Sequence, residues 1–405
     1  MNISSSIKMV KFAHLADCHL GSWRQPELER LNFESFIKAI DIILDEKLDF
    51  VLMAGDLFDS AYPSIEILKD TFEQFKRLKE ANIPVFLIAG SHDYSASGKT
   101  FLDVLEKGGF CKNVLDYVEE NGSIKLNPSK FGNISILGYP GKKSSMEVED
   151  IQRIKIPPQD NFSILMLHTT IEDLAPTMDV PKVRKESLPL ANYYAFGHIH
   201  QTFKTQIGNS ELVYPGPIFP NNFQEMIDLK QGSFVIGTID GWDIKTQLVK
   251  IPSKEVVFIE EQIENALTAT EDLIDKINKM NLRDKIVLLR LKGEISQGKN
   301  SDIKFEKIES FIKKKECAAF LRNISQLKSI DESFEVELVG SEEVESLEKE
   351  IIKKYSEENP HDFNSKLSNL ISALSIEKKE DEKSTTFEER LLSELKDVLE
   401  LKEVL

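Results

Sequence analysis

Between residues 10 and 251 the chain alternates short, nearly unbroken apolar runs with longer stretches in which apolar residues recur every three or four positions. That alternation is the mark of a sheet covered by helices. The runs 10–16, 50–54, 85–89, 134–137, 162–167 and 193–196 lack the apolar-polar alternation of half-exposed strands, so they predict strands buried on both faces. Phe33, Phe36, Ile37, Ile40 and Leu44 share a helical face within 26–47, and a second helix is predicted over 64–81. On that second helix Ile65, Leu68, Phe72 and Phe75 form one expected stripe, and Ile67 and Leu78 another. The fold class is α/β.

The pattern shifts near 251–256. A helix at 264–280, a strand at 285–292, a helix at 305–315 and a strand at 318–324 predict a small α+β unit. Beyond Ser341, Val344, Leu347, Ile351 and Tyr355, then Phe363, Leu367, Leu370, Ile371 and Leu374, predict two short helices. After a charged linker at 377–384, Thr386 and Glu389 have capping-box spacing before Leu391, Leu395 and Val398. The expected division is 1–252, 253–338 and 339–405.

Composition narrows the function. The chain has 405 residues, 41% hydrophobic and 29% charged, an ordinary globular balance. Its apolar runs are too short for a transmembrane helix, and its serine-rich start lacks a signal-peptide pattern. A cytoplasmic protein is expected. Three widely spaced cysteines, Cys18, Cys111 and Cys317, fit neither a disulfide framework nor a zinc knuckle. The net charge of −17 opposes nucleic-acid binding, but residues 341–405 hold 18 acidic against 10 basic residues. Much of the excess is therefore in the tail, and bound divalent cations would reverse the charge of a carboxylate-rich site.

Five of the seven histidines, His19, His92, His168, His198 and His200, fall at or just after the end of a predicted buried strand. Asp17, Asp56, Asp59 and Asp93 occupy equivalent places. Strands wound in this way gather ligands at their C-terminal ends. Imidazole and carboxylate donors without thiolate suit a catalytic ion such as Mn²⁺, Fe²⁺ or Zn²⁺. Two such ions, bridged by Asp56, would serve in-line displacement at phosphorus. His14, inside the first run, reads as a hydrogen-bonded core residue, and His361 beside Pro360 as a surface one.

In order the motifs are Asp17-Cys18-His19, Gly55-Asp56-Leu57-Phe58-Asp59, Gly90-Ser91-His92-Asp93, His168 and Gly197-His198-Ile199-His200. Together they resemble the calcineurin-like metallophosphoesterases. Phe12 through Gly21, Ala54 through Asp59, Ala195 through His200 and Val213-Tyr214-Pro215-Gly216 further resemble the nuclease subunit of the DNA double-strand break repair complex, of archaeal type. The resemblance covers about residues 9–250.

It implies a two-sheet sandwich flanked by helices, a capping domain that contacts DNA, and a helical tail that docks on a coiled-coil ATPase subunit. It also implies a homodimer formed through the first two helices. Position by position, Asp17, His19, Asp56 and His200 would hold one Mn²⁺, and Asp56, His168, His198 and residue 91 the other. Ser91 departs from the family, which has Asn there. His92 matches the catalytic histidine, and an imidazole, titrating near neutrality, suits general acid work. Asp59 stands where some members have histidine and is expected to orient His92 or a ligand. The implied activity is 3′ to 5′ exonuclease on duplex ends and endonuclease on single strands. The alternatives are a phosphoesterase for small substrates and a DNA-end scaffold with an impaired second site.

Overall fold

The computed structural model describes residues 9–95, 98, 100–174, 180–329, 364–374, 376 and 384–399. The apolar runs become the central strands of two six-stranded mixed sheets. The first is ordered Asp243–Lys250, Ser233–Asp240, Val10–Leu15, Phe50–Ala54, Val85–Ile88 and Lys112–Asn113. Its last four strands are parallel, and a hairpin closes the other edge antiparallel. The second is ordered Thr202–Ile207, Ser210–Pro215, Tyr193–Gly197, Phe162–His168, Ile134–Tyr139 and Ser129–Phe131. There the middle four strands are parallel.

The sheets pack face to face. Phe12, Phe50 and Phe86 of one meet Ile134, Phe162 and Tyr193 of the other, with Phe12 stacked on Phe50 at 5.2 Å and Tyr193 edge-on to Phe12 at 5.3 Å. The outer face of the first sheet is covered by the helices Pro26–Asp45 and Ile65–Glu80. On the latter, Ile67, Thr71, Gln74, Phe75 and Leu78 are the buried face. Phe75 thus packs inward with Ile67 and Leu78 and does not share the Ile65 stripe, because residues four apart align on a helix. Ile65 remains 78% exposed.

The strands Val256–Gln262, Ile286–Ile295 and Ala319–Ser329 form a parallel three-stranded sheet, crossed over by the helices Ala266–Asn278 and Phe305–Lys314. One face holds its own core. The other, through Ile286, Leu288, Ala319 and Leu321, closes on Leu28, Leu31, Phe219 and Met226. Lys315 caps the first of these helices by donating to the carbonyls of Ile277, Asn278 and Met280 at 2.9, 2.7 and 2.6 Å.

Residues through Ser329 make one compact unit, and Ile330–Leu405 a second. The second contains the helices Asn364–Leu374 and Ser384–Leu399. The last helix starts at Ser384, ahead of the expected cap at Thr386. The expectations at Val344, Leu347, Ile351, Tyr355, His361 and Phe363 lie outside the described residues. No described helix is long and apolar enough to cross a membrane.

Candidate metal centre

Parallel strands of both sheets end at one rim, and the loops that follow carry the chemistry. The first two loops are laced together: Asp17 N donates to Gly55 O at 3.1 Å, His19 N to Asp56 O at 3.0 Å and Leu20 N to Leu57 O at 3.0 Å. To point their side chains inward, Asp17, His19, Asp56 and His198 adopt φ of 51°, 43°, 50° and 97°. Non-glycine residues at positive φ are strained and persist where their surroundings impose them. At Gly90 a Cβ would lie 2.1 Å from Asp56 Oδ1, so only glycine lets the third loop close on that carboxylate.

Two clusters result. Asp17, His19 and His200 offer ligand atoms within 4.8 Å of one another, and so do Asp56, His168 and His198. A third grouping joins His19, Asp56 and His92. Asp56 links them: its Oδ2 is 3.7 Å from His19 Nε2 and 3.1 Å from His168 Nε2, while its Oδ1 accepts from His92 N at 2.8 Å. Asp17 Oδ1 accepts from His198 N at 2.9 Å. Asp17 Oδ2 is buried without a hydrogen-bond partner, and His168 Nε2, likewise buried, has only its 3.1 Å ion-pair contact with Asp56 Oδ2. Buried polar atoms are rarely left so; these two face the space where a cation fits.

The imidazoles of His168, His19 and His200 are each turned by a second contact. His168 Nδ1 donates to Ala54 O at 2.9 Å, leaving Nε2 for the site. His19 Nδ1 is 3.0 Å from Asp59 Oδ1 and His200 Nδ1 is 3.0 Å from Glu225 Oε1. The Nε2 atoms of His19 and His200 then converge to 3.0 Å. Such contacts fix tautomer and direction in metal-binding histidines. Asp59 therefore touches His19 directly. It also accepts at its backbone carbonyl from His92 Nδ1 at 2.9 Å. Ser91 Oγ reaches Asp56 Oδ2 only at 3.5 Å.

Burial alone would raise the Asp56 pKa, but His168 and His19 hold it far below the usual carboxylate range. Burial alone would lower that of His168, yet Asp56 and Asp17 push it up to about 10. Burial, aided by His168, takes His198 down to about 4. Outside the cluster, His14 is buried between Tyr193 Oη at 2.9 Å and Phe196 O at 3.2 Å, and burial lowers its pKa to about 3. Trp23 donates to Pro220 O at 3.1 Å, while Arg24 is exposed.

The raised pKa predicts that, without cations, His168 carries a second proton at pH 7, which a cation would displace. Calorimetry of cation binding in buffers of different ionisation enthalpy should show about one proton released for the His168 cluster, with affinity rising as pH rises toward 10. In the cation-free protein the His168 contribution to stability is full below pH 6.5 and fades as pH climbs through about 10.

Two residues without an assigned role in the sequence analysis belong to this centre. Asp93 is buried and accepts from Gly90 N at 2.8 Å and Phe58 N at 3.1 Å, tying the third loop to the second; burial and Asp56 raise its pKa to about 6. Glu225 sits in the first turn of the helix Phe223–Leu229, capped by Asn222, and accepts from Asn221 N at 2.7 Å besides facing His200. Its one signal in the sequence is the Asn222-to-Glu225 capping-box spacing. Glu225→Gln should weaken binding at the His200 cluster about 10- to 100-fold, read by cation titration, with little change at the His168 cluster.

Residues 10–202 match the family model described as calcineurin-like phosphoesterase. Proteins named DNA double-strand break repair protein Mre11 align with much of the chain. That of Methanococcus maripaludis is 32% identical over 269 residues, 63% of this chain and 70% of that protein. That of Archaeoglobus fulgidus is 26% identical over 323 residues, 70% of this chain and 68% of that protein. That of Methanosarcina mazei is 28% identical over 315 residues, 75% of this chain and 48% of that protein, so the chain spans about half the length of this relative.

Proposed function

Because the chain belongs to the family of the DNA double-strand break repair protein Mre11, within the calcineurin-like phosphoesterases, we propose that it is a DNA nuclease hydrolysing phosphodiesters with two divalent cations, Mn²⁺ in the first place. The observation that carries this reading is the pair of clusters joined through Asp56, with Asp17 Oδ2 buried and unpartnered and His168 Nε2 facing only Asp56. Asp17, His19, Asp56 and His200 would hold one cation, and Asp56, His168, His198 and Ser91 the other. Bound there, the pair supplies Lewis acidity toward the phosphoryl oxygens and offsets the charge that builds in the transition state.

The chain's own groups do the rest. Asp59 and Glu225 turn His19 and His200 toward the centre, and Ala54 O does the same for His168. His92, half exposed at the rim, donates its Nδ1 proton to the Asp59 carbonyl; as the imidazolium it carries a second proton on Nε2, which it would pass to the departing oxygen, becoming neutral. The cleft beside it, about 480 Å³, is lined by Asp59, Tyr62, Ser91, His92, Tyr94 and Lys143, among others. Relatives of this name repair DNA breaks, and the same role is proposed here, with 3′ to 5′ exonuclease action on duplex ends and endonuclease action on single strands. Its partners would be DNA, a coiled-coil ATPase subunit that takes up the tail, and a second copy of the chain.

End-labelled duplex, bis-p-nitrophenyl phosphate and a phosphomonoester, each with and without Mn²⁺, test the reading. Cleavage of the duplex and the diester is expected with Mn²⁺ and not with chelator. Preference for the monoester, with intact duplex, would overturn it.

A further inference from the structure

Next to the cleft that holds His92 lies a second hollow of about 440 Å³, and the two share Tyr94, Ser95 and Lys143 as a common wall. Its lining is aromatic and apolar: Tyr94, Tyr117, Tyr139, Leu115, Pro140 and Met146. Tyr117 is 43% and Met146 63% exposed, so large apolar surface faces solvent at the hollow's mouth. The rings of Tyr117 and Tyr139 stand 6.0 Å apart at 61°. Tyr139 is fixed from behind, its hydroxyl donating to Asp150 at 2.8 Å.

Cations stand at the rim. Lys142 is held by Asp150 and lies 5.6 Å from the Tyr139 ring. Lys143 is exposed and pairs with no carboxylate among the described residues. The loop carrying both is anchored to the metal centre, because a Cβ on Gly141 would meet His168 Cδ2 at 2.5 Å. It turns away through Ser144 and Ser145 at φ of 57° and 55°. The hollow is thus held at a fixed place relative to the cluster and to His92.

We propose that this hollow is a nucleobase subsite: it takes one unpaired base of the bound strand, stacked against Tyr117, while Lys143 meets the adjoining phosphate. The proposal rests on the nuclease reading for the identity of its polymer. Three features select this occupant. The hollow adjoins the cleft where a phosphodiester would lie, sharing three lining residues with it, aromatic faces accept any base by stacking, and the exposed ammonium of Lys143 complements a phosphate. A base still paired in a duplex cannot enter a recess beside the cleft without leaving its stack. The site therefore favours strands that are single or frayed at the point of cleavage.

The test uses the full chain with Mn²⁺ and single-stranded oligonucleotides with phosphorothioate linkages that resist hydrolysis, in which 2-aminopurine replaces one base at successive positions. Stacking on tyrosine should quench the probe at one position and not at its neighbours. Tyr117→Ala should remove that quenching and weaken binding about 5- to 150-fold, the range of one base-aromatic stack, whereas Tyr117→Phe retains both. An abasic site at the same position should weaken binding to the unaltered protein equally and add nothing to Tyr117→Ala. Quenching at no position, or unchanged affinity in Tyr117→Ala, would overturn the subsite. Because the readout needs no turnover, the two readings fail separately: position-specific quenching without hydrolysis of ordinary strands removes the nuclease, and hydrolysis indifferent to Tyr117 removes the hollow.

Discussion

Asp56→Asn is expected to lower Mn²⁺-dependent cleavage by on the order of 10³-fold or more, since loss of a bound cation forfeits several kcal/mol of transition-state stabilisation. The carboxylate stands between two clusters, 3.1 Å from His168 Nε2 and 3.7 Å from His19 Nε2. An amide offers one acceptor oxygen and no charge. The backbone contact from His92 N can still be made to the amide oxygen, so the third loop should stay closed and the fold should persist. Thermal unfolding separates the two effects. A ligand at 100 times its Kd stabilises the native state by about 2.7 kcal/mol, and most of that gain should vanish in the variant. Without Asp56, burial should pull the His168 pKa well below its present value of about 10, visible by NMR of the cation-free protein. Cleavage within tenfold of the unaltered chain would show that Asp56 does not bridge.

His92→Asn should give the opposite pattern. Cation affinity should hold at both clusters while cleavage falls about 10²- to 10⁴-fold, the usual contribution of a general acid. His92 lies at the rim, its ring edge-on to His19 at a centroid distance of 4.8 Å, and its Nδ1 is already committed to Asp59 O. Its position near His19 and Asp56 also allows a ligand role. Calorimetry decides: a lost binding event makes it a ligand, whereas unchanged binding with full cleavage removes it from the mechanism.

The loops of the candidate centre were legible because each follows a buried strand, and buried parallel strands are written as unbroken apolar runs. Asp17, Asp56, His168 and His198 all announce themselves in that way. Nothing in a linear pattern shows that these runs divide between two sheets; that follows from pairings such as Tyr193 with Ile164 and Phe12 with Phe50, which join residues distant in the chain. The edge hairpin Ser233–Asp240 and Asp243–Lys250 was not read, although its exposed strand alternates in burial. Glu225 escaped for a different reason. It lies on a short helix with no apolar run before it, and its link to His200 exists only in three dimensions. The misassigned stripe on Ile65–Glu80 shows a limit of helical spacing: several apolar faces satisfy it, and only the sheet beneath selects the one that is buried.

The helix that carries Glu225 has a second attachment. Arg290, from the strand Ile286–Ile295, lies 5.3 Å from the ring centres of both Phe223 and Phe258 and donates to Gln224 Oε1 at 2.8 Å. A chain ended at Ile251 would therefore lose more than the three-stranded sheet and its two helices. It would lay bare Leu28, Leu31 and Met226 to water and release the turn from which Glu225 meets His200, so the smallest stretch that keeps these contacts reaches to the strand that ends at Ser329.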